Sequence, residues 1–284
     1  MERPSLRRQI YDRGLRALLY LCGLLTCALL AFLICYVFYR GMGGISWELL
    51  TTQRSFIRNT NGILPNILNT LYLILLAMAV VLPLGVGAAI YLTEYAAHRR
   101  LVSLIEFAAE TLTGIPSILF GLVGMLFFVQ LLGFGYGVLA GGLTLVVMIL
   151  PTIIRTTQES LKTVPQSYRE GALGLGAGKW RMVRTVVLPN AVDGIVTGCI
   201  LAVGRIVGES AALLFTAGMG GMLNSLWEAL NASSGALSVA LYVYVNEYAD
   251  VETALSIAAI LMTITLLINL AAGAAGRHWK GGKA

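Results

Sequence analysis

The sequence predicts an all-α polytopic membrane protein with six transmembrane helices. Its 284 residues are 57% hydrophobic and only 12% charged, and the mean hydropathy is +0.80. Soluble domains usually carry about 25% charged residues. Apolar runs of the length that a helix needs to cross a bilayer, about 20 residues, recur along the chain. Cationic residues gather between alternate runs, which is typical of a chain that crosses a membrane several times.

The apolar runs predict six spans. Five of the six runs are nearly free of charge. The remaining run, which comes fifth along the chain, is interrupted by charged residues. The first run follows five arginines, as a signal peptide would, but it is long and has no small-residue cleavage site at residues 36–39, so a retained helix is favoured. The spans lie at about residues 17–39, 67–93, 115–132, 137–160, 190–215 and 253–276, with tails at 1–16 and 277–284 and major loops at 161–189 and 216–252.

The distribution of cations predicts the orientation. Fifteen Lys and Arg residues fall in segments on the side of the N-terminus, and three, Arg40, Arg54 and Arg58, fall on the other side. The positive-inside rule then puts both termini in the cytoplasm of a bacterium, with the chain in its cytoplasmic membrane. The net charge of +6 reflects this topology and contact with anionic lipid. No basic patch carries interleaved aromatic residues, so we expect no nucleic-acid partner.

Neither metal nor nucleotide binding is expected of this chain. Its cysteines, Cys22, Cys27, Cys35 and Cys199, lie in apolar runs without CxxC spacing or a nearby histidine, so we interpret them as small buried hydrophobic residues. Residues 174–179 superficially resemble a phosphate-binding loop but lack its first glycine and the Ser or Thr after lysine. Because no catalytic set is present either, we predict that the chain is not an enzyme.

Prolines predict bends in three helices. Pro83 lies inside the second span, Pro116 at the start of the third and Pro151 near the end of the fourth. Residues 101–113 are amphipathic and predict a helix at the membrane surface, followed by a break at 114–117. Two pairs of small residues at i, i+4, Gly85 with Ala89 and Gly137 with Gly141, predict close helix packing.

Three charged residues lie within the predicted spans. Arg205 and Glu209 are four residues apart, so on one helix they share a face and can pair. Intramembrane charges are functional candidates by default, although a purely structural ion pair would also explain them. Arg155 could reach the interface with its long side chain. Alternatively, it joins Arg205 and Glu209 in a path for an oxyanion, since the guanidinium fork suits phosphate.

Residues 165–189 form a polar, basic island between apolar runs. Glu170, Ala172, Gly176, Leu188 and Pro189 fit the spacing E-(A/G)-A-x₃-G-x₉-(I/V)-x-L-P. The pattern predicts a short amphipathic helix pair, reversed at glycines that allow a sharp turn. On the first helix we expect Tyr168, Ala172 and Leu175 to face one way and Arg169 and Glu170 another.

The island resembles the EAA loop of ABC importer permeases, on which the ATPase docks. Other segments resemble the PstA family of phosphate importer permeases: LPNILNTLY at 64–72, AIYLTEY at 89–95, GIPSILFG at 114–121, LPTIIRTT at 150–157 and GRIVGES at 204–210. The resemblance implies the MetI-like six-helix importer fold. It also implies ATPase coupling through Tyr168, Glu170, Gly171, Ala172 and Gly176, and transport roles for Arg155, Arg205 and Glu209. Gly171 and Val186 depart from the usual Ala and Ile of the loop.

The resemblance further implies import of inorganic phosphate by an assembly. Its partners would be a second, PstC-like permease subunit, a PstB-like ATPase dimer that binds ATP and Mg²⁺, and an external PstS-like phosphate-binding protein. Permeases for sulfate, molybdate or phosphonate are the alternative within the importer class. An ATP-independent transporter or channel, and a membrane-embedded enzyme, are alternatives outside it.

Overall fold

The computed structural model describes residues 6–55 and 60–281, and most of them are helical. Four helices are long and apolar enough to cross a membrane, and the number rises to six if each of two sharply bent helix pairs counts as one span. The predicted all-α class with six spans is thus confirmed. Arg3, Arg58 and Lys283, which entered the charge count, lie outside the described residues, as do residues 1–5 and 282–284 of the two predicted tails.

The helices succeed one another with few extended residues between them. In chain order the elements are α1 (Leu6–Gly41), α2 (Trp47–Thr51), β1 (Gln53–Ser55), β2 (Thr60–Ile63), α3 (Leu64–Ile90), α4 (Arg99–Thr113), α5 (Ser117–Gly124), α6 (Val138–Thr163), α7 (Gln166–Gly174), α8 (Lys179–Met182), α9 (Leu188–Asn190), α10 (Val192–Gly208), α11 (Ala211–Thr216), α12 (Leu226–Asn231), α13 (Leu237–Asn246) and α14 (Val251–Gly281). Short π-helical segments continue α3 (Tyr91–Tyr95), α5 (Met125–Leu131) and α8 (Val183–Val187). The two strands pair antiparallel, with Gln53 opposite Ile63.

The first helix lies at the edge of the bundle. α1 packs against α14, and the Oγ of Ser256 on α14 donates a hydrogen bond to the carbonyl of Gly41 at 2.9 Å. Nearly all of the apolar side chains described along α1 are exposed, as suits a helix that faces lipid. Cys22, Cys27 and Cys35 are therefore exposed, and the interpretation of these three as buried residues was wrong. A helix with one neighbour turns most of its surface outward.

The core is built around the contact between α3 and α6. Ala77 and Val81 on α3, and Ile149 and Ile153 on α6, are fully buried there, and parts of α5, α10, α11 and α13 pack around them. Gly85 lets the two helices approach, because a Cβ at this position would lie 2.6 Å from Cγ2 of Ile153. The small residues thus serve the close packing that their spacing predicts.

Breaks in the helices do not all fall where prolines predict them. α4 and α5 meet at 100° around Pro116, as expected. By contrast, α3 stays helical through Pro83 and α6 through Pro151. A second bend, of 66°, separates residues 179–190 from α10 at Ala191, two residues after Pro189, which was not among the three prolines expected to bend a helix. The predicted continuous fifth span was also wrong: α10 ends at Gly208, and α11 is a separate short helix.

The segment between α11 and α14 folds back into the bundle. Its second helix, α13, is too short to span a membrane, yet its residues Leu237, Val239 and Tyr244 are almost completely buried. The start of α13 is tied to α3, because the Nδ2 atoms of Asn66 and Asn69 donate to the Gly235 carbonyl at 2.9 and 3.2 Å. This segment therefore belongs to the core rather than forming a loose loop.

Candidate functional site

The 161–189 loop begins where α6 ends. Val164 is extended, with φ −69° and ψ 125°, because the ring of the following Pro165 disfavours helical geometry at the residue before it. α7 then starts at Gln166 and ends at Gly174, and none of its residues is fully buried. The loop therefore presents a whole short helix on the surface of the chain.

A glycine in the left-handed conformation terminates α7. Gly176 has φ +82°, and its N–H donates to the Leu173 carbonyl at 2.9 Å while the Ala177 N–H donates to the Ala172 carbonyl at 3.1 Å. These two bonds satisfy carbonyls that have no partner inside the helix, in the arrangement called a Schellman motif. The sequence predicts a chain reversal between α7 and α8 at Gly174, Gly176 and Gly178. Of these three glycines, Gly176 takes the left-handed conformation.

Most of the predicted coupling residues lie on the outer surface of the loop. Tyr168, Glu170, Gly171 and Gly176 are exposed. Ala172 is half-buried and packs against a small apolar cluster formed by the ends of α3 and α6 and the segment after α8. The structure thus supplies an exposed surface with an aromatic ring and a carboxylate, backed by one inward-facing alanine.

The sequence interpretation put Arg169 and Glu170 on the same side of α7, and this was wrong. Glu170 is exposed, whereas the Arg169 side chain points inward. Its Nε and Nη2 atoms lie 3.1 and 2.9 Å from Oε1 of Glu94, at the end of α3. The guanidinium also donates to the carbonyls of Leu161 and Val164, at 2.8 and 2.6 Å. The side chains of Arg169 and Glu94 are only 12% and 6% exposed. Sequence reasoning missed this buried ion pair; the one available signal was a lone glutamate at the end of an apolar run.

A polar cluster joins α4 to α6 around Arg155. The Arg155 guanidinium lies 3.4 Å from Glu110 and 3.1 Å from Glu159, and all three side chains are more than 60% exposed. Seven residues after Arg155 along α6, the Lys162 ammonium lies 3.6 Å from Glu106. The cluster borders a cavity of about 250 Å³. Arg155 is therefore accessible and held by two carboxylates that solvent screens.

Arg205 and Glu209 do not form the expected pair. Glu209 follows the end of α10 with extended geometry, φ −79° and ψ 119°, so the helical spacing between the two residues is lost. Its buried carboxylate instead accepts a hydrogen bond from the N–H of Ala212 at 3.0 Å, capping the start of α11. Arg205 is half-buried, and no hydrogen bond or ion pair joins its side chain to another described residue.

The candidate residues thus fall into separate regions. Arg155 and Arg205 lie on α6 and α10, which pack against each other, while the exposed residues of α7 lie on the 161–189 loop. Within residues 6–55 and 60–281, no three His, Cys, Asp or Glu side chains come together as metal ligands. The roles assigned to the individual residues stay predictions.

Comparison with known proteins identifies the family. Residues 81–280 match the family described as binding-protein-dependent transport system inner membrane component. The chain is 35% identical over 280 residues to a probable ABC transporter permease protein, YqgI, of Bacillus subtilis, covering 94% of this chain and 95% of that one. It is also 35% identical over 237 residues to the phosphate transport system permease protein PstA of Yersinia pestis, covering 82% and 79% of the two chains.

The fold has been seen in a solved transporter. A chain of the bacterial alginate ABC transporter, solved in complex with an alginate pentasaccharide-bound periplasmic protein, superposes with a TM-score of 0.68 over 97% of this chain and 98% of that one, at 15% identity. The likeness extends to the fold alone, and it agrees with the predicted importer architecture. The family match over residues 81–280 and the relative that is 35% identical over 94% of this chain show that the chain belongs to the binding-protein-dependent inner-membrane permeases of ABC transporters.

Proposed function

We propose that this chain is the permease subunit of an ATP-driven importer for inorganic phosphate and forms half of its translocation path. The observation that carries the proposal is the exposed surface of α7, where Tyr168 and Glu170 stand outward on a helix that has no fully buried residue. The likeness to a phosphate permease over most of the chain supports phosphate as the substrate.

The energy source lies outside this chain in our proposal. A PstB-like ATPase dimer binds ATP and Mg²⁺ and docks on α7, while this chain binds no cofactor. A PstC-like permease supplies the other half of the path, and a PstS-like binding protein delivers phosphate from outside. The excess of cations on one side of the spans supports an orientation with α7 and both termini in the cytoplasm.

Two arginines and a glutamate line the proposed path. Phosphate can replace the carboxylates of Glu110 and Glu159 at Arg155, because both contacts are exposed and therefore weak. The Arg205 guanidinium makes no hydrogen bond or ion pair with the described residues, and its fork matches the oxygens of phosphate. Glu209 limits how tightly phosphate is held nearby, because its negative charge repels the anion while its carboxylate caps α11.

Movement of α7 drives the change between inward-facing and outward-facing states. When the ATPase dimer closes on ATP, the docked loop moves, and the helices of the second to the fifth span follow as rigid bodies. The 100° break at Pro116 supplies one flexible joint. Pro83 and Pro151 weaken their helices locally by removing a backbone hydrogen bond, and we expect smaller adjustments there.

The substrate is tested by asking which anion drives ATP hydrolysis. The chain is reconstituted in liposomes with its ATPase, its second permease and its binding protein, and each anion is added to the binding-protein side. Phosphate should stimulate hydrolysis, whereas sulfate, molybdate and phosphonate should not. Stimulation by one of those three instead would assign another oxyanion, and uptake that persists without the ATPase would mean an ATP-independent transporter.

Docking is tested by cross-linking from the exposed surface of α7. A photoactivatable residue at position 170 should capture the ATPase subunit in membranes, while the same residue at exposed Asn231, on α12, should not. A functional importer in which position 170 captures no ATPase would refute the docking proposal.

A further inference from the structure

We propose that Arg169 and Glu94 form the positioning contact through which a displacement of α7 moves the ends of α3 and α6 together. The inference rests on the proposed function, since it takes α7 as the element on which the ATPase acts. Neither residue needs to touch the transported anion. Their task is to keep the moving helix and the two core helices in register.

The geometry joins three elements through one guanidinium. Arg169 belongs to α7, and its Nε and Nη2 atoms bind the carboxylate of Glu94 in the π-helical end of α3. Its Nη1 and Nη2 atoms also bind the carbonyls of Val164 and Leu161. Those carbonyls lie at and just after the end of α6, where carbonyls lack the N–H partner that a continuing helix would supply, although the Leu161 carbonyl also accepts from the Val164 N–H at 3.3 Å. Arg169 therefore cannot shift without drawing on both helices.

Burial makes this contact a firm one. Arg169 and Glu94 are 12% and 6% exposed, whereas the partners in the Arg155 cluster are 64% exposed or more. Ion pairs that water screens contribute little. Separating a buried pair leaves an uncompensated charge inside the protein, which is strongly unfavourable. The buried ion pair should consequently stay intact while α7 moves, so that the displacement of α7 is transmitted to the ends of α3 and α6.

The rest of α7 offers few other routes into the bundle. The helix has no fully buried residue, and only Ala172 packs against the apolar cluster beneath it. The second helix of the loop, α8, contacts the same π-helical end of α3. The Lys179 ammonium lies 5.0 Å from the ring centroid of Tyr95, within the range of a cation–π interaction. The two helices of the loop, α7 and α8, thus contact adjacent residues, Glu94 and Tyr95.

The contact is tested by measuring transport per ATP hydrolysed. Arg169→Met and Glu94→Gln are each compared with the native chain in the full assembly, using radiolabelled phosphate. Arg100→Met is the matched control, since Arg100 is an exposed arginine on α4 outside the loop. We expect normal assembly and continued ATP hydrolysis in both variants. Phosphate uptake per ATP should fall about tenfold, within the range known for residues that couple distant sites.

A double variant asks whether the two residues act as one contact. If they do, Arg169→Met combined with Glu94→Gln should lose no more coupling than the worse single variant. Losses that multiply would mean independent roles and would overturn the inference. Unchanged uptake per ATP in both single variants would overturn it as well.

A purely structural role has a different signature. In that case the variants lose assembled complex, while the complex that does assemble transports normally per ATP. If Arg169→Met does not assemble, the nearly isosteric Glu94→Gln decides. Cross-linking from position 170 separates failure of this inference from failure of the docking proposal. If the ATPase docks on α7 but the ion pair plays no part in coupling, cross-linking to the ATPase should persist. If the docking proposal itself is wrong, cross-linking should be absent.

Discussion

Three arginines in this chain show how surroundings decide what one side chain can do. Arg155 is exposed and shared between two carboxylates. Arg169 is buried with one carboxylate and two helix-end carbonyls. The Arg205 side chain is half-buried and makes no hydrogen bond or ion pair with another described residue. The first guanidinium is exposed and shared, the second is buried and fully partnered, and the third has no partner among the described residues.

Replacing Arg205 with Gln should depress phosphate uptake while leaving the assembly intact. A hydrogen bond to a charged group is worth about 1.5–3 kcal/mol, so a loss of roughly 10- to 100-fold in uptake is expected. Uptake is measured in vesicles, and the amount of purified complex serves as the measure of assembly. Arg100→Gln is the control. Normal uptake by Arg205→Gln would remove Arg205 from the path.

Glu209 should matter for stability through its cap on α11. Glu209→Ala removes the acceptor of the buried Ala212 N–H, and a buried donor left without an acceptor costs about 1–3 kcal/mol. Glu209→Gln keeps an acceptor oxygen and should cost less. The midpoint of thermal unfolding in detergent distinguishes the two. Equal destabilisation by both variants would show that the negative charge, rather than the cap, is what the site requires.

At the scale of elements, glycines decide where helices end and how closely they pack. Gly176 ends α7 because its positive φ is open to glycine, whereas Gly171 lies inside the same helix with open space around it. Gly85 lets α3 approach α6, whereas Gly87, two residues along, faces outward. Gly171 can therefore serve as the control for substitutions at Gly176, and Gly87 as the control for substitutions at Gly85.

Two alanine substitutions in the 161–189 loop should act in opposite directions. Gly176→Ala forces a side chain into the left-handed conformation, at a cost of roughly 1–2 kcal/mol. Gly171→Ala replaces glycine in a helix interior and should stabilise α7 by about 1 kcal/mol. Amide hydrogen exchange over residues 166–177 should accelerate in the first variant and slow in the second. Changes of the same sign in both would contradict this account of the loop.

Packing between α3 and α6 is tested by a matched pair of valine substitutions. Gly85→Val places its Cβ 2.6 Å from a methyl of the fully buried Ile153, and overpacking of this kind costs about 1–3 kcal/mol. The Cβ of Gly87→Val meets no atom within 4 Å, and position 87 is exposed. Thermal unfolding should therefore shift downward for Gly85→Val alone. A comparable shift for Gly87→Val would mean that helix propensity, rather than packing, is responsible.

At the scale of the whole molecule, much of the apolar surface faces outward. The most hydrophobic stretch of α1 has none of its residues buried, and α14 is buried over only part of its length. A bundle in lipid gains nothing by covering such surfaces with protein, because lipid tails are equally apolar. The orientation of the bundle is instead set by the charged segments between spans.

The proposed orientation is tested by labelling cysteines from outside intact cells. In a background without native cysteines, Asn231→Cys on α12 should react with a membrane-impermeant thiol reagent. Ser167→Cys on α7 should react only after the cells are permeabilised. Both positions are exposed on the chain, so the difference reports the side of the membrane. The reverse pattern would invert the topology.

The sequence by itself determined the class of the protein, the number of its spans and the position of the exposed loop. Apolar runs, charge segregation and turn-forming residues such as Gly176 act locally, so their consequences can be predicted without knowing the packing. The common face expected for Tyr168, Ala172 and Leu175 was wrong in part, because Tyr168 and Leu175 are exposed while Ala172 packs against the apolar cluster beneath α7.

Only the tertiary structure decided which charges meet. Arg169 pairs with a glutamate 75 residues away, and Glu209 turns from Arg205 to the start of α11 because the helix ends at Gly208. The interior permits a charge or an open helix end only where a partner of suitable geometry lies within about 3 Å. That partner is supplied by the packing of helices distant in the chain, and no local spacing encodes it.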